Sequence, residues 1–349
     1  MIIYYIYPMW HKVSFTLIAK HHIRELRKYY QVYEIDELAV RHLNPYCRPI
    51  TLLHPCFFIM SRFAGRLERI RSKLRSLIGL DVADSDRISN LAVSMTHYCD
   101  AMIVPSTWSR EAYIKSGVKC PVYVVPHGLT DDYFQSPKPV QYFRELASLK
   151  REKNYIYLLH FCWHSEYRKG LDLVFRVYEQ LRRERKDIVL VLKFMTGYGT
   201  WHHKFRELGG IIIAGWLKDD QIIELYDLCD IYLLFSRGGG FELNGLEALA
   251  RGEVVIAADR GSWTDYLPPF SLVRSHECPY VLKDNPIHSG KGVEIDTEKA
   301  VDKICEIAND LEEYKARVRD YVNKYIKPRF AWSAVARRLA GVIAEISKT

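Results

Sequence analysis

Short apolar runs alternate with amphipathic segments along this chain, and the alternation occurs twice. In the first series, residues 2–7, 32–35 and 50–53 read as strands and 13–30 as a helix, with the third strand ending at His54-Pro55. Phe63, Leu67, Ile70, Leu74 and Leu77 recur at helical spacing, which predicts a helix over 63–78. An apolar run at 80–83, a helix over 90–98 and a strand at 101–104 follow. Ser106 or Thr107 then caps a further helix, and a strand at 122–125 closes the series at Pro126-His127-Gly128. Residues 130–153 are polar, contain Pro137 and Pro139, and read as a linker. Alternation restarts with strands at 155–161, 188–194, 210–214, 231–235 and 254–257, and helices over 171–183 and 221–228. Strand and helix in alternation imply parallel strands joined by right-handed crossovers. The predicted class is α/β, with two Rossmann-like doubly wound domains over 1–136 and 154–328. Ligands of such sheets bind beyond the carboxyl ends of the strands, where Pro126 to Gly128, residues 160–169 and a glycine-rich loop all fall.

Composition narrows the picture. A length of 349 residues with 48% hydrophobic content suffices for two packed cores. No apolar run approaches the roughly 20 residues of a membrane-spanning helix. The N-terminal segment lacks the basic lead of a secretory signal, so a cytoplasmic protein is expected. The eight cysteines are scattered without a C-x-x-C, which favours reduced thiols over a zinc site or a disulfide framework. The abundance of Tyr, Arg and Lys suits a thermophile. A net charge of +8 permits contact with phosphate or anionic lipid without requiring either. Over 57–78, Arg62, Arg66, Arg69, Arg71, Lys73 and Arg75 surround the apolar stripe. That basic amphipathic pattern fits either a helix packed on the sheet or one lying on an anionic membrane surface; nucleic acid is a less expected partner. Asp84-Ser85-Asp86 reads as helix capping or an acceptor contact, and no cation cage is expected anywhere in the chain.

The richest segment runs from Ser236 to Gly252, SRGGGFELNGLEALARG. Gly238, Gly239 and Gly240 let a backbone approach a ligand closely. The helix that follows offers free N–H groups and its positive dipole end to an anion such as a diphosphate. Glu247 falls one turn after Asn244, on the same face, where a carboxylate can accept from sugar hydroxyls. Arg168-Lys169-Gly170, just before the helix at 171, supplies a fork and a point charge for an anion, unless both are solvated loop charges. Arg237 reads as a solvated loop residue or a phosphate contact.

The same segment resembles the donor-site loop of retaining GT-B glycosyltransferases of the glycosyltransferase family 4 type, whose pattern is E-G-F-G-x-x-x-L-E-A-x-A-x-G. Phe241, Leu246, Glu247, Ala248, Ala250 and Gly252 match it, while Gly239 replaces the first glutamate of the E-x7-E pair and Glu242 stands where the pattern has glycine. The resemblance covers roughly residue 101 to the C-terminus. It implies two domains facing a central cleft, with a final helix over 329–349 returning to the first. It implies transfer of a sugar, with retention and without metal or other cofactor, from a UDP- or GDP-linked donor to a glycan, lipid-linked or other hydroxyl acceptor entering through the first domain. Arg168 and Lys169 would act on the diphosphate and His54 would line the sugar side, although a lone histidine serves equally as a structural residue. Glu247 would hold the ribose, with Gly239, Gly240, Phe241, Glu242, Asn244, His164 and Gly128 as further donor-binding residues. The missing first glutamate would contact the transferred sugar. Its replacement keeps open a catalytically silent nucleotide-binding protein, beside an epimerase, a phosphorylase or a nucleic-acid-directed protein.

Overall fold

In the computed structural model, which describes residues 1–11 and 13–348, the chain forms two units. The first comprises Met1–Gly128, Lys283–Lys291 and Arg329–Thr349. Its elements are β1 (Ile2–Tyr7), α1 (Ser14–Leu26), β2 (Gln31–Asp36), β3 (Ile50–Leu53), α2 (Cys56–Ile70), β4 (Ser76–Leu80), α3 (Asn90–Thr96), β5 (Ala101–Val104), α4 (Thr107–Lys115) and β6 (Val122–Val124). The six strands lie parallel in the order β2-β1-β3-β4-β5-β6. Strands β3, β4 and β5 are buried along their whole length, which is why they read as unbroken apolar runs.

The helix expected over 63–78 is corrected. Helix α2 starts at Cys56, after Pro55 in extended backbone, and stops at Ile70; β4 then occupies the end of the predicted span. Leu74 and Leu77 continue the helical spacing of Phe63, Leu67 and Ile70 by coincidence. A short strand buried on both faces has no alternation to expose the error. The basic pattern also has a structural outlet. Cys56, Phe57, Ile59, Met60, Phe63, Leu67 and Ile70 all lie in the core of the unit, so α2 keeps no apolar face for a bilayer. Arg66 donates to the Leu43 carbonyl at 2.5 Å, Arg75 to the Ser347 carbonyl at 2.9 Å, and Arg71 pairs with Asp100. Arg62 stacks on the Phe58 ring at 4.0 Å.

The C-terminal helix, Trp332–Ile346, packs in this unit. The Trp332 ring stacks on His21 at 4.8 Å, and Tyr30 Oη donates to the Ala340 carbonyl at 3.1 Å. Residues 283–291 also join the first unit, against the expectation that they belong to the second domain. Asp86 and Lys291 exchange hydrogen bonds, the Asp86 N–H to the Lys291 carbonyl at 3.0 Å and the Lys291 N–H to Asp86 Oδ1 at 2.7 Å. The Ser89 N–H donates to the Ile287 carbonyl at 2.9 Å, and the Asp84 N–H to His288 Nδ1 at 3.2 Å. Asp84 and Asp86 therefore fasten this segment; the cap of α3 is Ser89.

The second unit comprises Leu129–Leu282 and Gly292–Pro328. It contains α5 (Arg144–Lys153), β7 (Ile156–Cys162), α6 (Leu171–Glu184), β8 (Ile188–Phe194), α7 (Thr200–Glu207), β9 (Ile211–Ala214), α8 (Asp219–Leu228), β10 (Ile231–Leu234), α9 (Leu243–Ala250), β11 (Val254–Ala258) and β12 (Leu272–Val273). An antiparallel pair, β13 (Ser275–Cys278) with β14 (Gly292–Ile295), and helices α10 (Thr297–Asn309) and α11 (Leu311–Tyr321) complete it. The parallel sheet has the order β12-β11-β10-β7-β8-β9. The predicted linker over 130–153 is corrected as well, and the first unit ends at Gly128 rather than at residue 136. Glu224 of α8 accepts from the N–H groups of Gln141, Tyr142 and Phe143 at 2.8, 2.7 and 2.8 Å. The N–H groups at 141–143 thus find a protein partner, which composition cannot distinguish from water.

Tyr5, His22 and His54 form a buried polar cluster in the first unit, with the half-buried His127 beside it. Tyr5 Oη bonds His22 Nδ1 at 2.8 Å and His54 Nδ1 at 2.9 Å. Burial pushes His54 down to about 3, His127 down to about 4, and His22 well below its usual range near 6.5. Histidines with depressed folded values contribute stability that is present above pH 6.5 and lost as pH falls through the folded values. Asp81, raised by burial to about 7 from 3.8, acts in the opposite sense over the same interval. The histidines' share of the melting behaviour is therefore a fall between pH 6.5 and 4, which Asp81, Glu247 (raised to about 7) and the buried Glu253 oppose. In His127→Asn that slope becomes shallower, as scanning fluorimetry over this pH range would record; an unchanged slope contradicts the assignment.

Candidate functional site

Strand order reverses between β7 and β10, the first and fourth parallel strands of the second unit. Loops leaving neighbouring strands at such a switch point diverge to opposite faces of the sheet and leave a crevice at the carboxyl edge. Here the two loops are residues 163–170 and 235–242, the two segments singled out by the sequence. They are joined backbone to backbone, with the Arg237 N–H donating to the Arg168 carbonyl at 2.7 Å. Gly170 has φ +70°, and a Cβ there would stand 2.0 Å from the Phe235 carbonyl oxygen. No other residue fits that crossing.

Arg237 is the centre of this junction. Its side chain is neither solvated nor aimed at a ligand: the residue is 1% exposed. One nitrogen donates to Asp172 Oδ1 at 2.7 Å, another to Asp172 Oδ2 at 2.8 Å, and Nε to Glu294 at 2.6 Å. The same guanidinium reaches the Tyr167 carbonyl at 2.6 Å and lies 3.8 Å from the centre of the Tyr167 ring. These four hydrogen bonds need several N–H donors fixed in one plane, which only arginine provides. The guanidinium ties the first turn of α6, the loop before it and the β13–β14 pair to the glycine-rich loop.

Arg168 and Lys169 come together at the glycine-rich loop. Arg168 donates to the Gly238 carbonyl at 3.3 Å and to Glu242 Oε1 at 3.0 Å; Lys169 Nζ lies 2.5 Å from Glu242 Oε2. Glu242 is 8% exposed and has left-handed backbone, φ +58°. The Tyr266 hydroxyl donates to its carbonyl at 2.7 Å, and Gly245 in the first turn of α9 sits directly against Leu234 and Tyr266. That close approach draws the start of α9 down onto the sheet.

Glu247 and Asn244 share one face of α9, as their spacing requires. Glu247 accepts from Tyr226 Oη at 2.8 Å and lies 3.5 Å from Asn244 Nδ2. Tyr133 also hydrogen-bonds the Glu247 carboxyl. Burial raises this carboxyl to about 7 despite both tyrosines. Tyr133 is held there by Arg251, which pairs with Asp227 and donates to the carbonyls of Asp132, Tyr133 and Gln135 at 3.0, 3.3 and 2.6 Å. Sequence reading missed Tyr133, Tyr226 and the role of Arg237; Arg251 within the matched motif was the only local signal.

Other expected site residues fall differently. His164 is exposed and its Nδ1 bonds Ser165 Oγ at 2.8 Å. The Phe241 ring is buried against Tyr266 at 5.5 Å, so it anchors the loop rather than facing a ligand. Gly239 and Gly240 are buried within the loop. His54 and Gly128 belong to the first unit. Gly128 is explained by packing, since a Cβ there would stand 2.7 Å from the Trp332 ring. Beyond the expected residues, exposed Trp163 and Trp216, just after β7 and β9, meet edge to face at 5.4 Å. Among the described residues, no group of three His, Cys, Asp or Glu side chains is arranged to hold a metal ion, and no helix is long and apolar enough to cross a membrane.

Replacing Arg237 with methionine leaves Glu294 without its cation and Asp172 with only the exposed Arg176, 3.3 Å away. The expected cost in urea unfolding is about 3 kcal/mol, at the low end for a broken buried pair because both acids are partly exposed. Arg237→Lys, which cannot fork, should recover little of it; full recovery would show that charge alone suffices.

Residues 155–269 match the family model described as glycosyl transferases group 1, and this span includes both switch-point loops and α9. Protein 356 of Sulfolobus islandicus rod-shaped virus 1, itself uncharacterised, is 36% identical over 99% of each chain. A protein of a Sulfolobus islandicus filamentous virus named "Putative glycosyltransferase 45" is 30% identical over 54% of this chain and 50% of its own length. Among solved structures, HepE from Anabaena, crystallised with UDP and glucose, superposes with a TM-score of 0.73 over 99% of this chain and 100% of its own, at 14% identity. Residues 155–269 thus form a glycosyl transferases group 1 domain, within a chain that is a glycosyltransferase of GT-B fold.

Proposed function

We propose that this glycosyltransferase takes its sugar from a nucleoside-diphosphate donor and passes it to an acceptor hydroxyl with retention of configuration, without a metal ion. One observation carries the reading: Arg168 and Lys169 converge with the glycine-rich loop and the start of α9 at a switch point of the sheet. When the bond between the anomeric carbon and the phosphate oxygen breaks, negative charge grows on the diphosphate. Two fixed cations and the N–H groups at the start of α9 stabilise that charge without reorganising, which is commonly the largest contribution to such a reaction. These cations supply the positive charge that a divalent ion would otherwise bring. The acceptor oxygen forms its bond to the anomeric carbon on the face the diphosphate leaves, and the acceptor proton departs with the leaving group or with solvent.

Glu247 receives the ribose hydroxyls. Tyr226, Tyr133 and Asn244 fix its carboxyl, so binding orders little that is not already ordered. Trp163 and Trp216 offer an exposed aromatic surface on which the base stacks. The UDP bound to HepE favours uridine as that base. The acceptor is a glycan, a lipid-linked sugar or another hydroxyl compound.

Calorimetry with UDP-glucose and GDP-linked sugars tests this reading. Lys169→Ala and Glu247→Ala should each weaken binding about 10- to 100-fold, the loss of a charged hydrogen bond, with melting curves still cooperative. Because a carboxylate accepts more strongly than a carboxylic acid, and Glu247 titrates at about 7, affinity should rise from pH 6 to 8 in the wild type. In Glu247→Gln that rise should vanish. Equal affinity in the wild type and both alanine variants would refute the assignment.

A further inference from the structure

Glu242 and the cations it holds carry a consequence for which nucleotides the site retains. Its two carboxylate oxygens engage Arg168 at 3.0 Å and Lys169 at 2.5 Å, from a side chain almost withdrawn from solvent. Those are the donors assigned above to the diphosphate. A diphosphate placed on them with Glu242 still in position would set its charge against a carboxylate that the same cations already neutralise. Like charges at that separation repel strongly where water is sparse.

Residue 239 explains how the arrangement exists. A Cβ built on Gly239 would stand 2.2 Å from Glu242 Oε1 and 2.9 Å from both Cδ and Cγ. Any side chain at 239, a glutamate included, excludes the Glu242 carboxylate from its present place. The left-handed backbone of Glu242 is the other requirement, because it turns the side chain back over the glycines toward residues 168 and 169. Glycine at 239 and glutamate at 242 therefore belong to one arrangement.

We propose that Glu242 is an internal counter-anion of the phosphate subsite, which a bound diphosphate displaces and whose freed carboxylate then accepts from hydroxyls of the donor's sugar. The proposal rests on the assignment of Arg168 and Lys169 to the diphosphate. Its consequence is selectivity. A nucleoside diphosphate must break the ion pairs and offers the carboxylate nothing in return; a nucleoside-diphosphate sugar offers hydroxyls. After transfer, the returning carboxylate competes with the spent nucleotide for the same cations and hastens its release.

Titration calorimetry of the full chain with pyrophosphate, UDP and UDP-glucose tests this. Glu242→Gln keeps the shape of the side chain but removes its charge, and should bind pyrophosphate and UDP about tenfold more tightly than the wild type, with the preference for UDP-glucose over UDP reduced. Gly239→Ala, which pushes the carboxylate away without changing it, should also tighten pyrophosphate and UDP binding. The second variant guards against a folding defect in the first, and a cooperative melt checks both. If both variants bind UDP and pyrophosphate no more tightly than the wild type, while Lys169→Ala still weakens them, the counter-anion idea is overturned and the site assignment stands. If Lys169→Ala leaves every affinity unchanged, the site assignment falls and the counter-anion with it.

Discussion

The buried guanidinium of Arg237 is the constraint on which the second unit's chemistry depends. Parallel α/β sheets bring loops together at a switch point, but topology alone leaves those loops free to move apart. Here one planar cation binds the first turn of α6, the Tyr167 carbonyl and β14, and its own backbone N–H holds the Arg168 carbonyl. Gly170 removes the last obstacle by letting the two backbones touch. The cost of burying a charge is offset only because two carboxylates and a carbonyl satisfy it. Such an arrangement tolerates few alternatives, which is what a site for a charged leaving group needs.

Around that fixed junction, charge is distributed in graded fashion. Arg237 is fully satisfied and carries no ligand role. Arg168 and Lys169 share a single carboxylate between them, so the pair retains net positive charge. Glu247, set apart on α9 and surrounded by hydroxyl groups, is held near neutrality by burial. A structural cation, the two cations proposed to receive the diphosphate and the carboxyl proposed to receive hydroxyls thus occupy one edge of one sheet, and burial more than residue type separates them.

Much of this was legible in the sequence, for identifiable reasons. The two α/β series announced themselves because buried parallel strands are unbroken apolar runs. Arg168, Lys169, Glu242 and Glu247 stood out because each sits just past a strand or on the helix after it. Reading failed where a pattern admits two structures. Leu77 fits a helix and a buried strand equally, and the polar stretch over 130–153 looks the same whether its partners are water or Glu224. Arg237 was misjudged because a charge beside three glycines resembles a solvated one; Asp172 and Glu294, its partners, lie 65 and 57 residues away. Gly239 could be read as a loss. The position of the Glu242 side chain makes it a requirement.

The first unit is assembled from three stretches of chain, Met1–Gly128, Lys283–Lys291 and Arg329–Thr349. Its sheet is finished within the first stretch, yet the backbone N–H groups of Asp84, Asp86 and Ser89 find their acceptors in the second, and His21 and Gly128 meet Trp332 from the third. During synthesis this first stretch must therefore wait, with α1 uncovered, until the stretch from Arg329 onward has emerged. No single cut separates the two units, and a fragment ending at residue 128 would expose the apolar surface that the last helix is there to cover.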